Sequence, residues 1–209
     1  MYKVTISKEA VNEMPMVTFP GKIYIIDSIS MVNEAVRVLR KYDIVGFDTE
    51  TRPSFRRGVV HKVALLQLST PNECFLFRLN KIGMPSSLKR YLEDENKVKV
   101  GLSVHDDFNA LRRLVEINPQ GFIDMQHLAV KSSISDISLQ KIYAILFGER
   151  ISKSQQLSNW EAESLSEAQQ RYASIDAWAC INIYTYLLSG EFIPENSPYY
   201  TYIEDEEAK

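Results

Sequence analysis

The sequence predicts an α/β domain with a mixed central β-sheet flanked by α-helices. Apolar runs of strand length dominate residues 21–79, apart from one helical segment. Strand-like and helix-like segments then alternate, and from about residue 125 onward the pattern is mostly helical. Strands first, alternation next and helices last is the order typical of a sheet covered by helices.

The first part of the chain is expected to form the centre and one side of the sheet. Residues 21–27 have the pattern of a short strand after a Pro-Gly pair, and residues 29–42 have the spacing of an amphipathic helix. Residues 44–50 are apolar on both faces, which is typical of a central strand. Residues 59–70 and 73–79 are separated by a Pro-Asn pair, which predicts a hairpin beside that strand.

The second part is expected to add parallel crossover strands on the other side of the central strand. A short helix is predicted over 85–93, a strand over 97–103, a helix over 107–117, and a strand that runs into a helix over 121–130. Parallel strands need such helical crossovers between them. The sheet is therefore expected to be mixed rather than purely parallel or antiparallel.

Composition indicates an ordinary soluble domain, residues 1–209, with its core at about 20–190 and an acidic tail at 204–209. Of 209 residues, 45% are hydrophobic and 24% charged, and the net charge is −3. That charge argues against a protein that coats nucleic acid through bulk positive charge. The sequence has no membrane-spanning run and no N-terminal signal pattern, so we expect no membrane association and a cytoplasmic location. No obligate protein partner is expected.

Cysteine and histidine do not indicate a disulfide or a zinc site. Cys74 lies in a predicted strand and Cys180 in a predicted helix, so both are expected to be buried free thiols. His61, His105 and His127 are scattered, with no C-x-x-C pair nearby. If the chain binds a metal, its ligands must be oxygen atoms.

Acidic residues occur where the hydrophobic pattern predicts burial. Asp48 and Glu50, two residues apart at the end of the central strand, leave the same face of that strand. When residues 101–114 are laid on a helix, Asp107 lies at the N-terminal end of the apolar stripe, whereas Asp106 faces solvent. Taken alone, an aspartate in the first turn is more simply interpreted as a partner of the helix dipole.

The last predicted helix carries a further buried acid. It begins after Ser166, which forms a capping box with Gln169. Asp176 falls in the middle of this helix, on a face that is otherwise apolar, and Tyr172 lies one turn before it. Taken alone, Asp176 is equally consistent with a buried carboxylate paired with a lysine or arginine.

Together, the four acids predict a metal site if they converge. Asp48, Glu50, Asp107 and Asp176 would repel one another strongly unless cations lay among them. Oxygen ligands without histidine or cysteine suit Mg²⁺ or Mn²⁺. Two such ions, roughly 3.5–4 Å apart, are the usual arrangement for phosphodiester displacement. The Tyr172 phenol could then hold the attacking water in line.

A basic segment follows the acidic pair directly. Residues 52–62 contain Arg52, Arg56, Arg57 and Lys62 and no acid. A short run of this kind is usually a solvated loop. Its position next to a candidate metal site allows a second interpretation, in which it contacts the phosphates of a nucleic acid.

Three motifs resemble those of the DEDD superfamily of 3′–5′ exonucleases. They are FDTET, GLSVHDDFNAL and YASIDA, in that order, and the resemblance covers roughly residues 20–190. The four-residue spacing of Tyr172 and Asp176 matches the tyrosine branch, which includes ribonuclease D, the Werner-syndrome exonuclease domain and the proofreading domain of bacterial DNA polymerase I. Position 171 is arginine, whereas the histidine branch has histidine there.

The resemblance implies a ribonuclease-H-like fold and a set of roles. Asp48 would bridge two divalent cations, Mg²⁺ or Mn²⁺, Glu50 and Asp176 would complete the site that activates water, and Asp107 would serve the second cation through its water shell. Tyr172 would position the nucleophile. The activity implied is release of nucleoside 5′-monophosphates from the 3′ end of single-stranded or 3′-overhanging nucleic acid. Residues expected to contact that substrate are Thr49, Thr51, Arg52, Arg56, Arg57 and His105.

Three alternatives stay open at the level of sequence. The chain could be a binding or adaptor module that keeps the fold without turnover. Its buried acids could instead be paired with basic side chains and bind no metal. The choice between DNA and RNA is also open, because it depends on contacts to the 2′ position of the sugar. Since the chain ends about twenty residues after its last predicted helix, we expect substrate to be held mainly within the catalytic domain.

Overall fold

The computed structural model describes residues 1–56 and 58–202. The predicted acidic tail at 204–209 and Arg57 therefore lie outside the described residues. Eight strands are present in the described part of the chain: β1 (Tyr2–Val4), β2 (Lys22–Ile26), β3 (Ile44–Thr51), β4 (Val63–Ser69), β5 (Glu73–Phe77), β6 (Val98–Gly101), β7 (Phe122–Asp124) and β8 (Tyr200–Tyr202).

Six of these strands form one mixed sheet in the order β2-β5-β4-β3-β6-β7. β4 pairs antiparallel with both β3 and β5, while β6 runs parallel to β3 and β7 parallel to β6. The predicted hairpin on one side of the central strand and the parallel strands on the other are thus confirmed. Because β3, β6 and β7 are parallel, their carboxyl ends meet at one edge of the sheet.

Helices cover both faces of the sheet. They are α1 (Lys8–Glu13), α2 (Ile29–Leu39), α3 (Leu79–Ile82), α4 (Ser86–Leu92), α5 (Val104–Arg112), α6 (Met125–Lys131), α7 (Leu139–Phe147) and α8 (Glu167–Ser189). Buried side chains of α2, α4 and α5 form one core with the sheet, and those of α6, α7 and α8 form cores on the opposite face. Within the described residues, no helix is both long and apolar enough to cross a membrane.

The 23-residue helix α8 lies directly against the central strand. Its start is fixed by the predicted capping box, in which the Ser166 hydroxyl accepts from the Gln169 amide at 3.2 Å and the Gln169 side chain accepts from the Ser166 amide at 3.0 Å. α8 and β3 approach each other closely at Gly46 of β3, where a β-carbon would lie 1.8 Å from the carbonyl oxygen of Ala177 in α8. Only glycine permits this approach, which brings the neighbouring Asp176 over the strand.

One helix begins earlier than its hydrophobic pattern predicts. α5 starts at Val104, not at residue 107, and ends at Arg112. The amides of Ser103 and Val104 both donate to the carboxylate of Asp124, each at 3.1 Å. This carboxylate, at the end of β7, satisfies the first amides of the helix from a distant point in the sequence. As predicted, Asp106 is exposed and Asp107 is half-buried.

The expectations for the thiols and for the terminal segments had different outcomes. Cys74 and Cys180 are buried and free, as predicted. The short antiparallel pair β1–β8, in which Tyr2 faces Tyr202, was not predicted, because each strand has only three residues and its partner lies at the other end of the chain.

Replacing Gly46 with alanine tests the contact between α8 and β3. The new methyl group would collide with helix backbone, which cannot rotate away, so the free energy of unfolding should fall by about 3 kcal/mol or more. Gly190→Ala is the control. At Gly190, φ is +75°, so a side chain would strain the backbone there, but no atom lies within 4 Å of the β-carbon position. Urea denaturation should show a smaller loss, about 1–2 kcal/mol, for the control. Equal losses would contradict the proposed collision.

Candidate active site

Three of the predicted carboxylates meet at the edge of the sheet where β3 ends. Asp48, Glu50 and Asp176 each place one oxygen within 4.8 Å of the others. Asp48 and Glu50 project from the face of β3 that α8 covers, because they alternate with Phe47, which belongs to the opposite core. Asp176 reaches them because α8 approaches β3 closely at Gly46.

Asp107 reaches the same edge from the other side of β3. Its carboxylate accepts a hydrogen bond from the hydroxyl of Thr49, which lies between the two acids of the strand. The negative charge of Asp107 raises the pKa of both Asp48 and Glu50, so it acts on the cluster electrostatically. Asp107 thus borders the three-carboxylate cluster and is not one of its three members.

Burial and mutual repulsion make the cluster costly to ionise. Burial first, and then the charges of neighbouring acids, raise the pKa of Glu50 to about 9 and that of Asp48 well above its ordinary range. Burial likewise raises the pKa of Asp107 and that of Asp176 to about 7 each. Hydrogen bonds from Thr49 and Tyr172 oppose the rise at these two residues.

No basic partner compensates these acids. In the part of the chain that the structure describes, no ion pair joins any of the four carboxylates to a lysine or arginine. Lys153, an exposed residue that forms no ion pair with Asp176 in the described structure, lowers the pKa of Asp176 through its charge, in addition to the hydrogen bond from Tyr172. The geometry therefore does not support the alternative in which buried acids are neutralised by basic side chains.

The oxygen atoms present fit divalent cations of the magnesium type. Three carboxylates within 4.8 Å supply hard, negatively charged donors, and neither histidine nor cysteine is among them. A bound cation would remove the repulsion that raises these pKa values. Asp48, Glu50 and Asp176 could hold such an ion directly, with Asp107 beside them.

Tyr172 lies against this cluster, one helical turn before Asp176. Its hydroxyl is hydrogen-bonded to the Asp176 carboxylate, and burial, followed by the charges of the nearby acids, raises its pKa further above the ordinary value. The phenol therefore keeps its proton. The ring lies 5.9 Å, centroid to centroid, from that of Trp160, which is fully buried.

Two residues that support the site were not singled out from the sequence. Asp124 caps the start of α5 and so sets where Asp107 points. Its position at the end of a predicted parallel strand was the available signal. Trp160 lies in the segment QLSNWE, which also resembles the family, but its contact with Tyr172 becomes visible only in the folded chain.

The residues predicted to contact substrate lie near the end of β3 and the start of α5, a region that we call the rim of the site. Thr49 is bonded to Asp107, Thr51 is half-buried at the strand end, and His105 is exposed near the start of α5. Arg52 donates to the carboxylate of Glu161 at 3.2 Å and is partly exposed, and Arg56 is exposed. These positions leave Thr51, Arg52, Arg56 and His105 as rim residues, and give Thr49 a supporting role at Asp107.

A cavity of about 440 Å³ lies in the rim that follows β3. Phe55, one of the residues that line it, is 84% exposed, so its ring is accessible to a ligand. His61 lies 3.4 Å from the Glu161 carboxylate, so one acid holds both ends of this segment. The cavity is lined by Arg52, Pro53, Ser54, Phe55, Arg56, Val59 and His61.

The raised pKa values predict an unusual pH dependence of stability for the metal-free protein. These carboxyl groups hold a proton more tightly folded than unfolded, so stability should fall as the pH rises from about 4, their unfolded pKa, towards about 9, the pKa of Glu50. Mg²⁺ binds the ionised form and should raise the unfolding temperature more at about pH 8.5 than at about pH 6. Calorimetry in chelator and in Mg²⁺ measures both effects.

Glu50→Gln provides the control for that experiment. It removes the group with the pKa of about 9, so the decline in stability above about pH 7 should be smaller in chelator. An unfolding temperature in chelator that stays constant from about pH 5 to about pH 9 in both proteins would contradict the assigned pKa shifts.

Comparison with known proteins places the fold and the motifs in one family. A family model described as 3′–5′ exonuclease matches residues 23–190. The chain is 29% identical over 193 residues to the bifunctional 3′–5′ exonuclease/ATP-dependent helicase WRN of Mus musculus, covering 87% of this chain and 14% of that protein. It is also 29% identical over 198 residues to a 3′–5′ exonuclease of Arabidopsis thaliana, covering 87% and 69% of the two chains.

Solved structures agree on the fold. Trypanosoma brucei ribonuclease D in complex with RNA U12 superposes with a TM-score of 0.72 at 18% identity, over 84% of this chain and 65% of that one. The ribonuclease-H-like fold predicted from the motifs is thereby confirmed. The chain spans only about a seventh of the length of WRN, so the comparison concerns one domain of that protein. Since the family model spans most of the chain and the acids of its motifs converge, this chain belongs to the 3′–5′ exonuclease family.

Proposed function

We propose that this chain removes nucleotides singly from the 3′ end of single-stranded nucleic acid by a two-metal-ion mechanism, releasing nucleoside 5′-monophosphates. The observation that carries the proposal is the meeting of Asp48, Glu50 and Asp176 within 4.8 Å, with the Tyr172 hydroxyl bonded to one of them. Among the described residues, no lysine or arginine forms an ion pair with these buried acids, and bound cations would compensate their charges.

The carboxylates have the chemistry that the cations require. Asp48, Glu50 and Asp176 would hold the ions, and Asp107 would contribute from the other side of β3. When bound, the two cations would activate a water molecule and stabilise the charge on the leaving oxygen. Rates of hydrolysis measured with Mg²⁺ and with Mn²⁺ identify the preferred cation.

Tyr172 would orient the attacking water. Because its pKa is raised by burial and nearby acids, its hydroxyl keeps its proton, and can donate and accept hydrogen bonds over the working pH range. Its bond to Asp176 and its contact with Trp160 fix the direction of that hydroxyl. The chain thus supplies an aligned hydrogen-bonding group beside the carboxylates.

The rim after β3 would hold the substrate strand. Arg52 and Arg56 would contact phosphates, and the exposed ring of Phe55 would stack on an unpaired base. Stacking needs a base that is free of a duplex, which favours a single-stranded end. The ribonuclease D structure in complex with RNA U12 supports a nucleic-acid partner for this fold, while contacts of Thr51 and His105 with substrate stay predictions.

The binding-module alternative has no specific observation in its favour, since all four acids and the tyrosine are present. The cytoplasmic location and the absence of an obligate protein partner also stay predictions. Rates of hydrolysis of DNA and RNA strands of matched sequence, each tested as a single strand and as a duplex, show which nucleic acid is the substrate.

Asp48→Asn and Asp176→Asn are expected to lower the rate about a thousandfold or more, because each removes a charge that would hold a cation. The assay uses oligonucleotides labelled at the 5′ end, with Mg²⁺ or Mn²⁺. A ladder that shortens from the 3′ end should form with the wild type, and chelator should abolish it. Asp106→Asn, which changes the exposed neighbour of Asp107, is the control and should keep the wild-type rate. Full activity of Asp48→Asn would contradict the mechanism.

Phe55→Ala tests the substrate path. Loss of one base stack should raise KM for a single-stranded oligonucleotide about tenfold, with little change in kcat, because stacking is worth about 1–3 kcal/mol. Steady-state kinetics measures this. Leu188→Ala is the control, since Leu188 is also an exposed apolar residue but lies three turns beyond Asp176 on α8. An unchanged KM for Phe55→Ala would place the strand elsewhere.

A further inference from the structure

Gln67, in the middle of β4, has a buried side chain that makes no hydrogen bond. Its exposed fraction is 0%, and neither the amide nitrogen Nε2 nor the amide oxygen Oε1 has a partner. Buried amides in folded proteins are nearly always hydrogen-bonded, because leaving them unpaired costs free energy. A glutamine that is buried and finds no partner among the described residues therefore calls for an explanation, such as a role in a functional site.

The register of the sheet places this amide beside the acidic cluster. Gln67 is the direct partner of Asp48 in the antiparallel pairing of β4 with β3. Side chains of directly opposed residues project from the same face, with their β-carbons about 4.5–5.5 Å apart. On its other side, Gln67 faces Leu76 of β5, which offers no hydrogen-bonding group. Of the two residues directly opposite Gln67 in the sheet, Asp48 is thus the polar one.

The side-chain amide of Gln67 has an N–H group that can donate a hydrogen bond to the Asp48 carboxylate once Asp48 binds cations. Carboxylates that bind metals are usually held by hydrogen bonds from neighbouring side chains, and these bonds fix the direction of their oxygens. Asp48 lies directly opposite Gln67 in the strand pairing and is one of the three carboxylates of the cluster. A neutral donor can stabilise its carboxylate without competing with the cations as a positive charge would.

We propose that Gln67 is a positioning residue for the metal site, whose amide nitrogen donates a hydrogen bond to the Asp48 carboxylate in the metal-bound protein. The inference rests on the proposed function, since it assumes that the cluster binds cations. Gln67 does not contact substrate. It acts through Asp48, by holding the carboxylate in the orientation in which its oxygens meet the ions.

Gln67→Met is the test variant, because methionine has nearly the same shape and lacks the amide. Mn²⁺ affinity is measured by the electron paramagnetic resonance signal of free Mn²⁺, and stability by thermal unfolding in chelator. The expected result is a 10- to 100-fold weaker Mn²⁺ affinity, with stability in chelator equal to or above that of the wild type. A residue with only a packing role would lower stability and leave Mn²⁺ affinity unchanged.

Leu66→Met is the matched control, since Leu66 is the adjacent residue of β4, is equally buried, and belongs to the core on the opposite face of the sheet. It should bind Mn²⁺ as the wild type does. In activity assays, Gln67→Met should lower kcat and leave KM for the oligonucleotide unchanged, because the substrate rim is intact.

The outcomes separate this inference from the proposed function. If the wild type binds no Mn²⁺, the proposed function fails first. If the wild type binds Mn²⁺ and Gln67→Met binds it equally well, the role of Gln67 is overturned. Gln67→Asn, which keeps the amide and shortens its reach, serves if the methionine variant does not fold, and should also bind Mn²⁺ more weakly. Failure of both variants to fold would assign Gln67 to the core and overturn the proposal.

Discussion

The close approach of α8 to β3 at Gly46 is the contact on which the rest of the structure depends. It sets the distance between the strand that carries Asp48 and Glu50 and the helix that carries Asp176. With any larger residue at position 46, the helix would stand away from the sheet and the three carboxylates would separate. A single position without a side chain thus determines whether the acids form a cluster.

That cluster opposes the folding of the metal-free chain. The hydrophobic cores on both faces of the sheet must overcome the cost of burying several carboxylates that repel one another. Local conflict of this kind is typical of functional sites, where a few residues violate the rules that the remainder of the sequence follows. The same conflict would favour cation binding, since bound cations would remove the repulsion.

Much of the fold and most of the site could be predicted from the sequence because the relevant signals are local. Asp48 and Glu50 interrupt a strand pattern, and Asp176 interrupts a helical one. What was missed depends on long-range pairing. The early start of α5 depends on a carboxylate twenty residues later, at Asp124, and the isolation of Gln67 beside Asp48 becomes visible only when the strand register is known.

The segment that precedes α8 joins two parts of the site. The Trp160 ring packs behind Tyr172. Glu161, which follows Trp160, contacts Arg52 and His61 of the rim through its carboxylate. The carbonyl oxygen of Ala162 accepts a hydrogen bond from the buried Arg78. Residues 160–162 therefore connect the ring that packs behind the Tyr172 phenol with Arg52, which we propose as a phosphate contact. If the proposed function holds, the side chains that grip the polynucleotide and the phenol that aligns the hydrolytic water would share one mechanical support, so a change in this segment would alter both.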